Sequence, residues 1–192
     1  MTKPDREAAG FFDAADQEEV KRSSDEAIKR WIDSQLRHTS VTAVLIGEET
    51  ASREYVQYEI ERSFERGNAL LGIRIHDVKD RQGRTSYWGD NPLADYLVET
   101  GSGRIRLSDL YPTHDWVREN GQQNISTWIE EATEANDEIP RSWRGNLVRE
   151  DEIDETSWLD VAITGAAVGI GLGIGAAVVE EIRRQRNRRR YW

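Results

Sequence analysis

A strand, a helix and a second strand follow one another between residues 41 and 75, and this pattern constrains the fold more than any other feature of the chain. The two strands are the runs Val41–Ile46 and 69–75, which are apolar almost without interruption. Runs of this kind suit strands covered on both faces, so we expect inner strands of a parallel sheet. The intervening helix carries an apolar residue at every fourth position: Val56, Ile60 and Phe64. A βαβ unit of this kind predicts the α/β fold class.

Start and stop signals place the helices around this unit. Ser23 and Glu26 have the spacing of a capping box and predict the start of a helix. The residues that follow at helical spacing on one face are Ala27, Ile28, Trp31, Ile32, Gln35 and Leu36. Ser52 is predicted to be the N-cap of the helix inside the βαβ unit. Gly67 followed by Asn68 predicts the end of that helix.

The rest of the chain predicts one more strand and one more helix. Residues 76–103 are polar and predict a long excursion, after which residues 105–116 hold a last strand. A closing helix has apolar residues at helical spacing: Ile125, Trp128, Ile129 and Ala132. Residues 136–160 are strongly acidic without a sustained period, which predicts a linker or a loosely docked arm.

Charge and composition exclude several classes of function. The chain of 192 residues has 36 acidic and 26 basic side chains, and its net charge of −10 argues against a nucleic-acid partner. The same bias suggests a halophilic source.

Cysteine is absent, and the three histidines, His38, His76 and His114, lack zinc-like spacing, so no metal site is predicted. His76 and His114 lie near predicted strand ends, where they are interpreted as ordinary polar residues. The N-terminus has no secretory signal, so we expect a cytoplasmic protein.

Four short segments resemble a known family. They are residues 25–33 (DEAIKRWID), 39–47 (TSVTAVLIG), 55–60 (YVQYEI) and 67–73 (GNALLGI). They look like the second helix, third strand, third helix and fourth strand of the TIR-like domains of Thoeris antiviral defence B proteins. The resemblance covers residues 9–135 and implies a three-layer, flavodoxin-like parallel sheet.

The resemblance also implies a substrate and a site. In this family the third helix starts near a Ser-x-x-Trp-Val-x-x-Glu-Ile pattern, and enzymatic TIR domains use its glutamate to break the nicotinamide–ribose bond of NAD. Glu59 matches that catalytic glutamate, while Ser52 and Tyr55 match the serine and the tryptophan as substrate-binding candidates. NAD is thus the expected substrate, with no cofactor. Spacing alone leaves an alternative, in which Glu59 is a solvated helix residue that pairs with Arg62 or Ser63.

The beginning of the chain departs from the family pattern. Family members have an apolar strand and a first helix ahead of the stretch that matches residues 9–13, whereas here residues 1–8 form a remnant tail without a strand. The first strand of a flavodoxin-like sheet lies inside the sheet. We therefore expect an N-terminally truncated domain whose missing strand and helix are encoded by upstream in-frame sequence.

The C-terminal part contains an uncharged, glycine-rich segment that begins at Val161 and ends at Val179. As a helix it would be about 28 Å long, close to the thickness of a bilayer core. Its Gly-x-x-x-Gly spacings favour self-association in a membrane. Residues 161–182 are thus predicted to form a hydrophobic helix with membrane contact, and residues 183–192 a basic tail; a soluble helix or a flexible tail is the alternative. A non-enzymatic signalling or membrane-effector module that oligomerises through this helix is the alternative function.

Overall fold

The computed structural model describes residues 25–153 and contains the predicted parallel sheet. The strands β1 (Val41–Ile46) and β2 (Ala69–Arg74) pair in parallel with Val41 opposite Ala69. The strand β5 (Thr113–Asp115) pairs in parallel with the other edge of β2, so the order is β1-β2-β5. The α/β class is confirmed, and the three strands correspond to strands 3, 4 and 5 of the expected flavodoxin-like order.

Helices cover this sheet on both faces. The helix α1 (Asp25–Leu36) packs on α2 (Glu54–Arg66), and α2 packs on β1 and β2, where the hydroxyls of Thr42 and Ser63 lie 2.8 Å apart. The helix α4 (Gly121–Asp137) packs against β2 from the opposite face. Because both faces of β2 are covered, its residues 69–73 are all buried.

The predicted end of α2 is confirmed. Gly67 adopts a left-handed backbone with φ of 87°, and its N–H donates to the Phe64 carbonyl. The N–H of Asn68 donates to the Ser63 carbonyl at 2.9 Å, which completes the turn. This turn leads directly into β2 and sets the position of α2 against the sheet.

A second, antiparallel sheet was not predicted. Its strands β3 (Tyr96–Thr100), β4 (Gly103–Arg106) and β6 (Leu147–Arg149) have the order β4-β3-β6. The short helix α3 (Leu107–Leu110) follows β4, and single 3₁₀ turns lie at Pro92–Asp95, Arg141–Trp143 and Glu150–Glu152. The polar excursion predicted for residues 76–103 therefore ends at residue 95, because β3 begins at Tyr96.

The predicted linker over residues 136–160 is wrong for the part that the structure describes. The helix α4 continues to Asp137, and β6 lies inside the predicted linker and pairs with β3. The Arg144 guanidinium lies 4.8 Å from the centre of the Phe64 ring and donates to the Asn136 side chain at 2.9 Å. These contacts attach the acidic segment to the domain despite its charge.

The expectation that β1 is covered on both faces is also wrong for the described residues. Thr42, Val44 and Ile46 are buried beneath α2, but Ala43 is exposed and Leu45 is 54 % exposed on the other face. Among the residues described, β1 pairs with β2 alone. Within residues 25–153, one edge of β1 and part of one of its faces are therefore open.

Several predicted features lie outside the described residues. They are the Ser23 capping position, the remnant tail, the glycine-rich helix that begins at Val161, and the basic tail. Within residues 25–153 no helix combines the length and apolar character needed to cross a bilayer.

Candidate functional site

The first turn of α2 positions the predicted substrate-binding residues, but it is not capped as expected. The N-cap is Arg53, and no side chain caps the first turn. The Ser52 hydroxyl instead donates to the Glu49 carbonyl at 2.9 Å. Ser52 is exposed and lies in the loop that leads from β1 into α2. The N-cap prediction for Ser52 is wrong.

Tyr55 and Glu59 lie one turn apart on the same face of α2. The Tyr55 side chain is 38 % exposed, and burial together with the nearby Asp25 carboxylate of α1 raises the pKa of its hydroxyl. One turn further along, Ser63 bonds to Thr42 near the start of β1. Since α2 runs antiparallel to β1, Glu59 lies closer than Ser63 to the carboxyl end of that strand. Tyr55 lies a further turn towards that end of the strand.

The Glu59 side chain is half-buried and has no partner within the described part of the chain. Burial raises the pKa of its carboxyl, and no hydrogen bond or opposite charge lowers it. The alternative pairing is not formed, because Arg62 pairs with Asp33 at 2.9 Å and also with Glu65. Ser63 is engaged with Thr42. A half-buried carboxylate without a structural partner is the kind of group that functional sites contain.

Three further side chains converge at the carboxyl ends of β2 and β5. His76 Nε2 lies 3.4 Å from Asp77 Oδ2 and 3.9 Å from Asp115 Oδ2. His76 is 5 % exposed, and both of its ring nitrogens lack a hydrogen-bond partner among the described residues. Arg118 donates to Asp77 Oδ2 at 3.1 Å. The interpretation of His76 as an ordinary polar residue therefore leaves two buried nitrogens without an explanation.

An exposed tryptophan covers this cluster. Trp88 meets the His76 ring edge-on, with ring centres 4.7 Å apart, although its side chain is 55 % exposed. The Arg74 guanidinium lies 3.8 Å from the centre of the same indole and donates to the Gly89 carbonyl at 2.8 Å. Burial lowers the pKa of Arg74, against the effect of nearby carboxylates. Trp88 thus shields His76 from solvent, and its indole contacts both the His76 ring and the Arg74 guanidinium.

His114, which was also interpreted as an ordinary polar residue, makes specific contacts on both sides of its ring. Its Nδ1 lies 2.9 Å from Glu119 and its Nε2 lies 3.1 Å from Glu131, so each ring nitrogen has a carboxylate partner. Burial lowers the pKa of His114, but the hydrogen bonds to Glu131 and Glu119 outweigh this effect and the net pKa is raised. The two carboxylates therefore favour the protonated form of this imidazole, and the bond to Glu131 ties β5 to α4.

A polar pocket of about 340 Å³ opens beside β5 and includes Arg74, Thr113, His114 and Glu131 in its lining. Its volume lies within the range of small-molecule sites. Ser52, Tyr55 and Glu59 do not line it. The structure thus places Tyr55 and Glu59 on α2 and Ser52 in the loop before it, whereas the histidine clusters and this pocket belong to the region of β2, β5 and α4.

Comparison with known proteins gives two matches. The family model described as "Thoeris protein ThsB, TIR-like domain" matches residues 2–80, which include all of α2 as well as His76 and Asp77. A protein of Bacillus cereus (strain MSX-D12) named "Putative cyclic ADP-D-ribose synthase ThsB1" is 36 % identical over 165 residues. That alignment covers 67 % of this chain and 86 % of the relative.

Proposed function

Because the chain belongs to the Thoeris ThsB family of TIR-like proteins, we propose that it makes a nucleotide signal from NAD in prokaryotic antiviral defence. The relative is named as a synthase of cyclic ADP-D-ribose, and that compound is a nucleotide product of the kind proposed here. In the proposed reaction the bond between nicotinamide and ribose breaks, and nicotinamide leaves with the bonding electrons. Water or a second nucleophile within the ADP-ribose then captures the ribose carbon, which gives the cleaved or the cyclised product.

This reaction requires a carboxylate at the ribose. Loss of nicotinamide passes through a state in which the ribose ring resembles an oxocarbenium ion and carries positive charge. A negative group fixed beside the ring stabilises that charge more strongly where water is excluded. Glu59 is our candidate for this group, with its carboxylate near the ribose hydroxyls.

The observation that carries the proposal is the state of the Glu59 carboxylate. It is half-buried, its pKa is raised by burial, and no described side chain neutralises it. Nearby carboxylates on the same helix are otherwise engaged: Glu61 accepts from the Tyr96 hydroxyl at 3.0 Å, and Glu65 pairs with Arg62. Glu59 therefore retains its full capacity to bind a substrate hydroxyl or a positive ring.

Tyr55 and Ser52 supply the substrate contacts in this proposal. Tyr55 stands one turn before Glu59, and its partly exposed ring offers a flat surface for a ribose or a nicotinamide. The Ser52 hydroxyl uses its hydrogen for the Glu49 carbonyl, so its oxygen can still accept a hydrogen bond from substrate. Both residues precede Glu59 on the way from the carboxyl end of β1.

The test is nicotinamide release from NAD by the full chain and by Glu59→Gln. A matched control is Glu130→Gln, which removes an exposed carboxylate from α4. We expect the Glu59 variant to lose about 100-fold or more in rate, while the control keeps the wild-type rate.

Equal rates in the wild type and in Glu59→Gln would remove Glu59 from the mechanism. Absence of nicotinamide release by all three proteins would contradict the enzymatic proposal and favour the non-enzymatic signalling module. Circular dichroism of each variant verifies that a lost rate does not reflect a lost fold.

A further inference from the structure

We propose that His76, Asp77 and Asp115 form a binding site for one divalent transition-metal ion of the Zn²⁺ or Mn²⁺ class. One imidazole nitrogen and two carboxylate oxygens lie within 4.8 Å of one another at the carboxyl ends of β2 and β5. The site is distinct from Glu59 and does not depend on the proposed reaction.

The spacing of the three atoms fits a metal centre. Zinc binds histidine nitrogen and carboxylate oxygen at about 2.0–2.2 Å, so ligands around a tetrahedral ion lie about 3.4 Å apart. His76 Nε2 is 3.4 Å from Asp77 Oδ2 and 3.9 Å from Asp115 Oδ2. Small side-chain rotations are sufficient to bring all three atoms to bonding distance.

Unsatisfied polar atoms provide independent support. His76 is 5 % exposed, yet neither of its ring nitrogens has a hydrogen-bond partner in the described part of the chain. Asp115 Oδ2 is buried without a hydrogen bond as well. Buried polar atoms in folded proteins almost always have partners, so two neighbouring residues of this kind are suited to hold a ligand between them. A cation held between His76 Nε2 and Asp115 Oδ2 would satisfy these two atoms at once.

The surrounding structure already orients the ligands. Asp115 Oδ1 accepts hydrogen bonds from the backbone N–H groups of Val117 and Arg118, at 3.1 and 2.9 Å. This leaves Oδ2 directed at His76. Trp88 packs against the edge of the imidazole and limits its movement. Preorganisation of this kind is typical of the groups that support metal ligands.

The choice of metal follows from the donor set. Magnesium and calcium prefer oxygen ligands throughout, whereas an imidazole nitrogen with carboxylates suits zinc or manganese. Arg118 is the competing cation, since its Nε lies 3.1 Å from Asp77 Oδ2 and 3.7 Å from Asp115 Oδ2. Its side chain is 64 % exposed, and an exposed ion pair holds it only weakly, so a divalent ion can displace it into solvent.

The experiment is calorimetric titration of the chelator-treated full chain with Zn²⁺ and with Mn²⁺. We expect one ion per chain in the wild type and affinity reduced by about tenfold or more in His76→Asn and Asp115→Asn. The matched control, His38→Asn, removes an exposed histidine at the end of α1 and leaves the affinity unchanged. Equal affinity in His76→Asn and the wild type would show that the ion binds elsewhere and would overturn the proposal, as would absence of stoichiometric binding.

Arg118→Gln tests the same site without disturbing the core. Because this variant removes the guanidinium that competes for the two carboxylates, we expect its metal affinity to be higher than that of the wild type. A lower affinity would mean that Arg118 supports the site, and it would contradict the proposed competition. Mn²⁺ bound to the wild type should also show nitrogen modulation in pulsed electron paramagnetic resonance. Absence of that signal from bound Mn²⁺ would exclude His76 as a ligand.

Discussion

The imidazole of His114 stacks on the indole of Trp128, with ring centres 4.5 Å apart and ring planes 3° from parallel. Trp128 lies on α4 and is 4 % exposed, so the stacked pair forms part of the contact between α4 and β5. Glu119 and Glu131 hold the two imidazole nitrogens. When the imidazole is protonated, it makes charge-assisted hydrogen bonds to the two carboxylates and a cation–π contact with the indole. All three interactions stabilise the protonated form.

This arrangement predicts a pH-dependent stability. Burial opposes protonation of His114, but the carboxylates of Glu131 and Glu119 prevail, so the folded pKa lies above the unfolded one. The stabilisation is complete below the unfolded pKa of about 6.5 and disappears as the pH rises through the raised folded value. We expect the free energy of unfolding, measured with urea, to fall over this window less steeply in Glu131→Gln than in the wild type. Glu130→Gln is the control, and identical slopes in wild type and Glu131→Gln would exclude His114 as the cause.

The close approach of two loops predicts a sensitive position at Gly89. A Cβ built on Gly89 would lie 1.9 Å from the Gly47 carbonyl oxygen, which is backbone and cannot rotate away. Gly89→Ala must therefore move the segment that carries Trp88 away from the end of β1. We expect a loss of about 1–3 kcal/mol in the free energy of unfolding, since overpacking of a tight contact costs this much.

The matched control for this variant is Gly101→Ala, because a Cβ on Gly101 meets no atom within 4 Å. Its stability in urea should equal that of the wild type. An undiminished stability of Gly89→Ala would mean that the loop over β1 adjusts freely and that Trp88 is not fixed above His76.

The elements that local periodicity could predict are those whose pattern is set by neighbours in sequence. β1 and β2 have this property because they are short continuous apolar runs, and α2 and α4 have it because their apolar residues recur at helical spacing. The second sheet does not, since Tyr96 pairs with Arg149 from a distant part of the chain. The acidic composition around β6 predicted a linker, although this segment contains a strand and is attached to the domain by Arg144 and its partners.

The candidate sites differ in the same way. Glu59 was identified through the family resemblance, since spacing alone favoured an ion pair with Arg62. The structure shows why that pair is absent: α1 brings Asp33 to Arg62, and helix spacing within α2 cannot reveal a partner on another helix. The cluster of His76, Asp77 and Asp115 was missed because a parallel sheet brings together strand ends far apart in sequence.

The acidic surface predicts a dependence on salt. At a net charge of −10 the folded chain repels itself, and molar salt reduces the Debye length to about 3 Å and screens this repulsion. A halophilic source, as the composition suggests, predicts that the chain unfolds below about 1 M salt. Thermal unfolding at increasing KCl concentration measures this, and an unchanged midpoint would contradict the halophilic interpretation.

The state of Glu59 predicts that its removal stabilises the fold. Burial raises the folded pKa of this carboxyl, so its favourable contribution is complete below the unfolded pKa of about 4.3 and is lost as the pH rises through the folded value. At neutral pH an ionised, half-buried and unpaired carboxylate therefore disfavours folding. Glutamine has the same shape without the charge, and we expect Glu59→Gln to have the higher free energy of unfolding at neutral pH.

The difference between Glu59→Gln and the wild type should shrink as the pH falls below about 4, where both side chains are neutral. Urea unfolding of the two proteins at neutral and acidic pH measures it, with Glu130→Gln on the exposed side of α4 as the control. A variant less stable than the wild type at neutral pH would mean that Glu59 takes part in a stabilising pair. Such a pair would neutralise the carboxylate and remove the physical basis for placing it at a cationic ribose, even if the variant also lost activity.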